Sequence, residues 1–275
     1  MIIHKSKQDR NAKKVGVFCN ARDEKNIKEW ATHHLLIGFD NVIIFDHKSI
    51  NPLSCVFSKF DKRVIIIRKE LEDGNIKIQL MNNAINIAKM LNLDWFIYLD
   101  ADEFLILSNI FKGVKHFLNT YSYGDSVAVN WLMFGTNYLL EEPSGLILEN
   151  YTKSSFMLDQ HVKSFVRTEE VIYSDNPHYY HVRNPSKMLG IHFRPLKNKY
   201  CFNKLNMPFF KATAYIAHYI YQSEETYLRR KINLIGDDGI KRVNLGKEIH
   251  NHFNERTNIQ PQKYVKQIKK FLEFV

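Results

Sequence analysis

Three carboxylates crowd into four positions at Asp100-Ala101-Asp102-Glu103, directly after the apolar run Trp95-Phe96-Ile97-Tyr98-Leu99. Acids at the end of a hydrophobic strand have no packing reason to be there, because an unpaired buried carboxylate is costly. As ligands for a hard cation they make sense. Side chains at i and i+2 of an extended segment point to one side, so Asp100 and Asp102 can converge on a single ion. Open α/β sheets bind ligands beyond the carboxyl ends of their strands, where this acidic tip would stand. The plainer reading is a chance Asp-x-Asp, or acids that cap the next helix.

Such a tip needs a sheet of short buried strands to hold it. Val15–Cys19, Asn41–Phe45 and Arg63–Ile67 read as strands of that kind, and Trp95–Leu99 as a fourth. Between them, Ile27, Trp30, Ala31 and Leu35 fall at helical spacing, with Asp23 as a candidate N-cap and Gly38 as a C-terminal stop. Ile76, Leu80, Ala84, Ile87 and Leu91 form a second helical stripe. The order strand, helix, strand, strand, helix, strand defines a Rossmann-like, nucleotide-binding half of an α/β protein. Neither a Gly-x-Gly-x-x-Gly nor a Gly-Lys-Ser/Thr loop is present, which argues against a dinucleotide and a phosphate-loop enzyme.

Further along, Ile110–Leu118 reads as a helix and Ser126–Trp131 as a strand. Residues 182–211, with Pro185, Pro195 and Pro208, read as a long mobile loop. Tyr215–Ile220 is a strand candidate, and Ser223 opens a helix running to about Ile235. The expected organisation is a flexible lead-in (1–14), one domain (15–260) and a C-terminal amphipathic helix (261–275). That helix, with Lys263, Lys266, Lys269 and Lys270, either touches an anionic membrane peripherally or docks on its own domain.

The 275-residue chain carries a formal charge of +10. Its basic residues are scattered rather than blocked, so nucleic acid is not an expected partner, whereas a phosphate-bearing substrate is. Three cysteines, Cys19, Cys55 and Cys201, make neither a disulfide framework nor a zinc site. No apolar run approaches the roughly 18–20 residues that span a bilayer, and no signal peptide is evident. A cytoplasmic setting is expected.

Several blocks resemble the glycosyltransferases of the family 2-like and family 92 group. They are Asn20-Ala21-Arg22-Asp23-Glu24 with Glu29-Trp30 and His34, then Gly38-Phe39-Asp40 and Phe45-Asp46-His47-Lys48-Ser49. The Trp95–Phe104 run, Trp131, Phe134-Gly135, Glu149-Asn150-Tyr151, the stretch from His161 to Arg167, and His218-Tyr219 with Ser223, Glu224-Glu225 and Lys231 complete the match. The resemblance covers about residues 15 to 236. It implies a GT-A fold with a mixed central sheet flanked by helices, a nucleotide-diphosphate sugar donor, a divalent cation and inversion at the anomeric carbon.

Glycosyl transfer needs positive charge for the leaving diphosphate and a base for the acceptor hydroxyl. On the resemblance, Asp102 binds metal, Asp100 bridges to ribose or metal, and Glu103 orients the loop or the donor sugar. His218 is either a further metal or diphosphate contact or a core histidine. Asp46 accepts from uracil, with Asn20 and Arg22 lining the same pocket; alternatively Asp46 is a turn residue. Lys163 and Arg167 are expected to neutralise the diphosphate. Glu149 is the expected base, with Asp159 and Glu142 as alternatives. Trp131 and Phe134 either stack on a sugar or belong to the core.

The expected activity is hexosyl transfer from a UDP-sugar to a glycan or glycoconjugate hydroxyl. Three rivals are weighed against it. A sugar-nucleotide pyrophosphorylase would carry a Gly-rich basic loop after its first strand, and Asn20–Asn26 has no glycine. A phosphatase with an Asp-x-Asp nucleophile would carry Thr or Val at the position of Phe104. A basic binding module would be indifferent to Asp102 and to Mn²⁺.

Overall fold

The computed structural model describes residues 10–71, 74–196, 200–234 and 242–275. The first half follows the expected order: β1 (Val15–Ala21), α1 (Ile27–Leu36), β2 (Asn41–His47), a single turn α2 (Leu53–Val56), β3 (Val64–Lys69), α3 (Ile76–Met90) and β4 (Trp95–Tyr98). Its four strands are parallel in the order β3-β2-β1-β4. Every residue of β4 is buried, as its uninterrupted apolar run requires of a strand covered on both faces. Gly38, at φ +99°, ends α1 as expected, and the amide of Phe39 returns to His34 O. Asp23 does not cap α1. It takes a positive φ and accepts the amide of Ile50.

The second half comprises β5 (Glu103–Leu107), α4 (Val114–Asn119), β6 (Ser126–Met133), α5 (Ile147–Asn150), β7 (Lys153–Ser154), β8 (Val162–Arg167), β9 (Val171–Asn176) and β10 (Tyr179–Val182). β11 (Met188–Gly190), β12 (Ala214–His218), α6 (Glu224–Tyr227), β13 (Arg256–Thr257) and α7 (Val265–Leu272) follow. Strands β8, β6, β12 and β5 continue the sheet beyond β4, and β11 pairs with β6. The β4–β8, β8–β6 and β12–β5 pairings are antiparallel, so the sheet is mixed.

Two successive strands, β4 and β5, thus sit at the centre and at the far edge of one sheet, although only four residues join them. The sheet must curl for this to close. The outer edge of β5 then meets α1, where Trp30 Nε1–H donates to Glu103 O (2.8 Å) and His33 Nε2 bonds Leu105 O (2.8 Å). These side chains satisfy carbonyls that an open edge would offer to another chain. One apolar layer lies under α1, α4 and α7 and includes Trp30, Leu35, Phe117 and Ile268. The other lies under α3 and the β9–β10 hairpin, with Leu80, Ala84, Ala88 and Tyr180.

Several expectations are corrected. Residues 1–9 of the lead-in lie outside the described residues, but residues 10–14 are fastened: Arg10 pairs with Asp125 (2.5 Å), and the amides of Lys13 and Lys14 donate to Asp94. The Ile110–Leu118 helix is shorter, because the backbone at Gly113 passes so close to Ile37 O that a Cβ there would lie at 2.8 Å. Residues 182–211, of which 197–199 are not described, carry β11 and bridges Leu189–Pro195, His161–Phe202 and Met157–Pro208. Ser223 does cap a helix through Thr226 N–H (3.1 Å), but α6 turns at Leu228 into a π-helical segment ending at Ile232; Ile235 lies outside the described residues. No helix among the described residues is long and apolar enough to cross a membrane.

Candidate active site

The carboxyl end of β4 gathers groups from several strands, helices and loops. The acidic run is not an extended tip: the amide of Glu103 returns to Asp100 O (3.0 Å), making Asp100–Glu103 a tight turn. Asp100 and Asp102 therefore address different partners. Asp100 is ion-paired with Lys77, from the first turn of α3, and with Lys163 from β8 (3.2 Å). Asp102 Oδ2 accepts from Arg230 (3.1 Å) and Lys231 (3.0 Å), both on the π-helical segment after α6, while His218 Nε2 stands 3.7 Å from Oδ1. Arg230 also forks onto Glu24 (2.9 Å). Asp100, Lys77, Lys163, Trp131, His178 and His218 share a cavity of about 480 Å³, whose wall also includes Lys231 and Arg242.

The charges are mutually set. Burial pushes the Asp100 carboxyl up, but Lys163 and Lys77 outweigh it and hold it well below the usual range. Asp102 is likewise held low, against burial, by Lys231 and Arg230. Glu103 is different: burial dominates and its carboxyl rises to about 7. One of its oxygens accepts the Asp100 amide (2.8 Å) and the other is buried without a partner among the described residues. Burial pushes His218 down to about 4, so its imidazole is neutral at neutral pH.

Of the remaining expected residues, Asn20 and Arg22 come at the end of β1 beside this edge, where Asn20 Oδ1 accepts from Tyr98 OH (3.1 Å). Asp46, at the end of β2, is buried and committed to its own turn. Its carboxylate accepts the amides of Ser49 (3.1 Å) and Leu53 (2.9 Å) and the guanidinium of Arg68 (3.0 Å). Arg167 is misplaced for diphosphate: it registers with Trp95 at the opposite end of β4, lies 4.3 Å over that indole and donates to Gly124 O and Ser122 O. Glu149 pairs with Lys269 of α7 (2.7 Å) in a separate groove. Glu142 is taken by Lys25 (2.5 Å) and Arg229 (3.0 Å). Phe134 is fully buried against Tyr219, a core residue, whereas Trp131 faces the cavity. Lys77, His178 and Arg230 were not singled out by sequence, and Glu24 stood inside a matched block without a role; the Arg229-Arg230-Lys231 triplet was the only local signal for Arg230.

Among the described residues no three His, Cys, Asp or Glu side chains are gathered as a ready-made metal cage. The donors fit a divalent cation in type. Such an ion needs only one or two protein carboxylates, and His218 is neutral, with a buried Nδ1 lacking a partner among the described residues. Arg230 and Lys231 would compete for Asp102.

The curled, mixed sheet flanked by helices is the α/β architecture that was expected. The chain belongs to glycosyltransferase family 92, whose profile matches residues 16–272. No curated protein sequence matches it. Among solved structures, S. aureus TarS 1-349 is similar over 56% of this chain and 47% of that one, at 16% identity and a TM-score of 0.35. The same protein in complex with UDP-GlcNAc gives 14% identity, 56% and 45% coverage and a TM-score of 0.36. HddC from Yersinia pseudotuberculosis complexed with GMP-PN gives 12%, 74% and 88%, and 0.35. The chain thus spans about half the length of TarS 1-349.

Proposed function

We propose that the protein transfers a hexose from a UDP-sugar to a hydroxyl of a glycan or glycoconjugate acceptor, with inversion and with a divalent cation, Mn²⁺ or Mg²⁺. Family membership supports glycosyl transfer; the observation that carries the donor assignment is the cavity in which Lys77, Lys163 and Lys231 surround the acidic turn. A departing diphosphate gains charge as the glycosidic bond breaks, and fixed cations in a partly desolvated cleft stabilise that charge more strongly than water does. Asp100 and Asp102, with His218 beside them, are the residues that would hold the metal. When bound, such an ion adds positive charge next to the diphosphate. Arg230 and Lys231, now on Asp102, are the cations that would lie beside the phosphates if a metal took that carboxylate, with Arg230 still anchored by Glu24. Asn20 and Arg22 border the nucleoside side of the same edge.

Thermal-shift titration with nucleotide sugars, with and without Mn²⁺, tests this reading. UDP compounds should stabilise the chain by about 2.7 kcal/mol at a hundredfold excess over Kd. The Mn²⁺-dependent part of the shift should vanish in Asp102→Asn. Silence towards every nucleotide sugar would remove the assignment, and a response to GDP- or ADP-sugars alone would correct the donor.

A further inference from the structure

We infer that His161 is the general base of the transfer and that Asp159 is its positioning residue, an assignment that rests on the glycosyltransferase reading above. His161 immediately precedes β8, which runs antiparallel to β4 and brings it to the carboxyl end of β4, where the acidic turn lies. Two residues on, Lys163 reaches Asp100, and side chains two apart on a strand share a face. His161 therefore lies on the face of the sheet that carries Lys163, next to the stretch of cavity wall formed by Trp131.

Its ring is prepared for proton transfer. Nδ1 meets Asp159 Oδ1 at 2.6 Å, and the same oxygen accepts the His161 amide at 2.8 Å, so ring and carboxylate are held together from two directions. A proton on Nδ1 leaves the lone pair on Nε2, which has no partner among the described residues on a ring that is 36% exposed. Trp131 is the backbone neighbour, its amide donating to His161 O (2.9 Å), and its indole is stacked on the imidazole at 5.3 Å. On its other side Trp131 meets His218 at 4.4 Å, and His218 adjoins Asp102. The indole thus has His218 against it on one side and His161 on the other. The other acids are spent: Glu149 on Lys269, Glu142 on Lys25 and Arg229, and Glu103 inside the turn.

In the step, the acceptor oxygen forms its bond to the anomeric carbon as the bond to the diphosphate oxygen breaks. The bonding pair leaves with the nucleoside diphosphate, and the hydroxyl proton passes to His161 Nε2 and then to solvent. Asp159 stabilises the imidazolium so formed.

His161→Gln should lower kcat by about 10²–10⁴-fold while nucleotide-sugar binding stays within about twofold of wild type. Free imidazole should restore part of the rate in His161→Ala. In Asp159→Asn kcat should fall by about tenfold or more with the donor KM unchanged, and Asp159→Glu should recover part of the loss, since a carboxylate that orients the ring acts on turnover rather than on donor binding. Among the described residues, His178 (5.5 Å between rings) and Asp159 are the titratable groups in contact with it. His161→Gln with kcat within about threefold of wild type, or Asp159→Asn with kcat unchanged, overturns the assignment. A rate loss matched by an equal loss of donor binding overturns it too, as the mark of a structural role. If wild-type protein binds no nucleotide sugar, the transferase reading falls and takes the base with it; transfer by wild type and by His161→Gln alike removes only the base.

Discussion

The ammonium of Lys163 lies almost wholly out of water, 3.2 Å from Asp100, 3.5 Å from Glu103 and 3.1 Å from Pro177 O. Asp100 and Glu103 lift its pKa above the ordinary lysine range in spite of burial. Removing one member of a buried ion pair leaves the other charge uncompensated, which costs far more than the pair contributes. Lys163→Met should therefore lower unfolding stability by about 3–5 kcal/mol in chelator-containing buffer, measured by urea denaturation. A loss below 1 kcal/mol would mean that the turn's carboxylates are solvated after all. Residues of this kind were unevenly legible. Asp100 and Asp102 announced themselves by crowding against an apolar strand, and Lys163 by its matched block. Lys77 looked like any polar position on an amphipathic helix, because what sets it apart is its ion pair with Asp100, 23 residues away. Arg167 was misjudged because a strand's two ends cannot be told apart by residue type.

At the scale of elements, α7 shows how packing settles what composition leaves open. Its lysines point outward, but Ile268 is fully buried and Phe271 meets Phe60 at 5.6 Å, while Tyr264, just before it, meets His33 at 4.7 Å. The helix is docked against α1. Ile268→Ala should cost about 2–5 kcal/mol, read as a lowered urea midpoint. An unchanged midpoint would show that the helix contributes nothing to the folded core. The same docking explains Glu149, whose carboxylate reaches Lys269 rather than the cleft. Strands β1 to β4 and helices α1 and α3 were legible because each is a long apolar run or a clean helical stripe. Strand β5, Phe104-Leu105-Ile106-Leu107 behind the acidic turn, was passed over although its run is as apolar as β4. The site's chemistry drew attention to the acids, and nothing local says that the chain crosses to the far edge of the sheet there.

For the molecule as a whole, buried titratable groups set the response to pH. Burial pushes His33 and His218 down to about 4 and His178 to about 3, and holds His34 low as well. An imidazole whose pKa falls on folding stabilises fully above its unfolded value near 6.5 and loses that contribution as pH falls towards 4. Glu29 and Glu103, raised by burial to about 7, act in the opposite sense, losing stability as pH rises from about 4.5 to 7. Four histidines outweigh two glutamates, so the urea midpoint should fall from pH 6.5 to pH 5; a midpoint that rises over that interval would contradict the burial of these rings. The curled sheet carries a consequence for the order in which the protein can be made. A ribosome delivers β4 some sixty residues before β8 emerges to cover its free side. Until then the growing chain displays a fully apolar strand with an unpaired edge, the kind of surface that recruits chaperones or other chains. The acidic turn, its lysines and Arg230 come together only after residue 231 has been synthesised, so no shorter chain has the complete charge cluster.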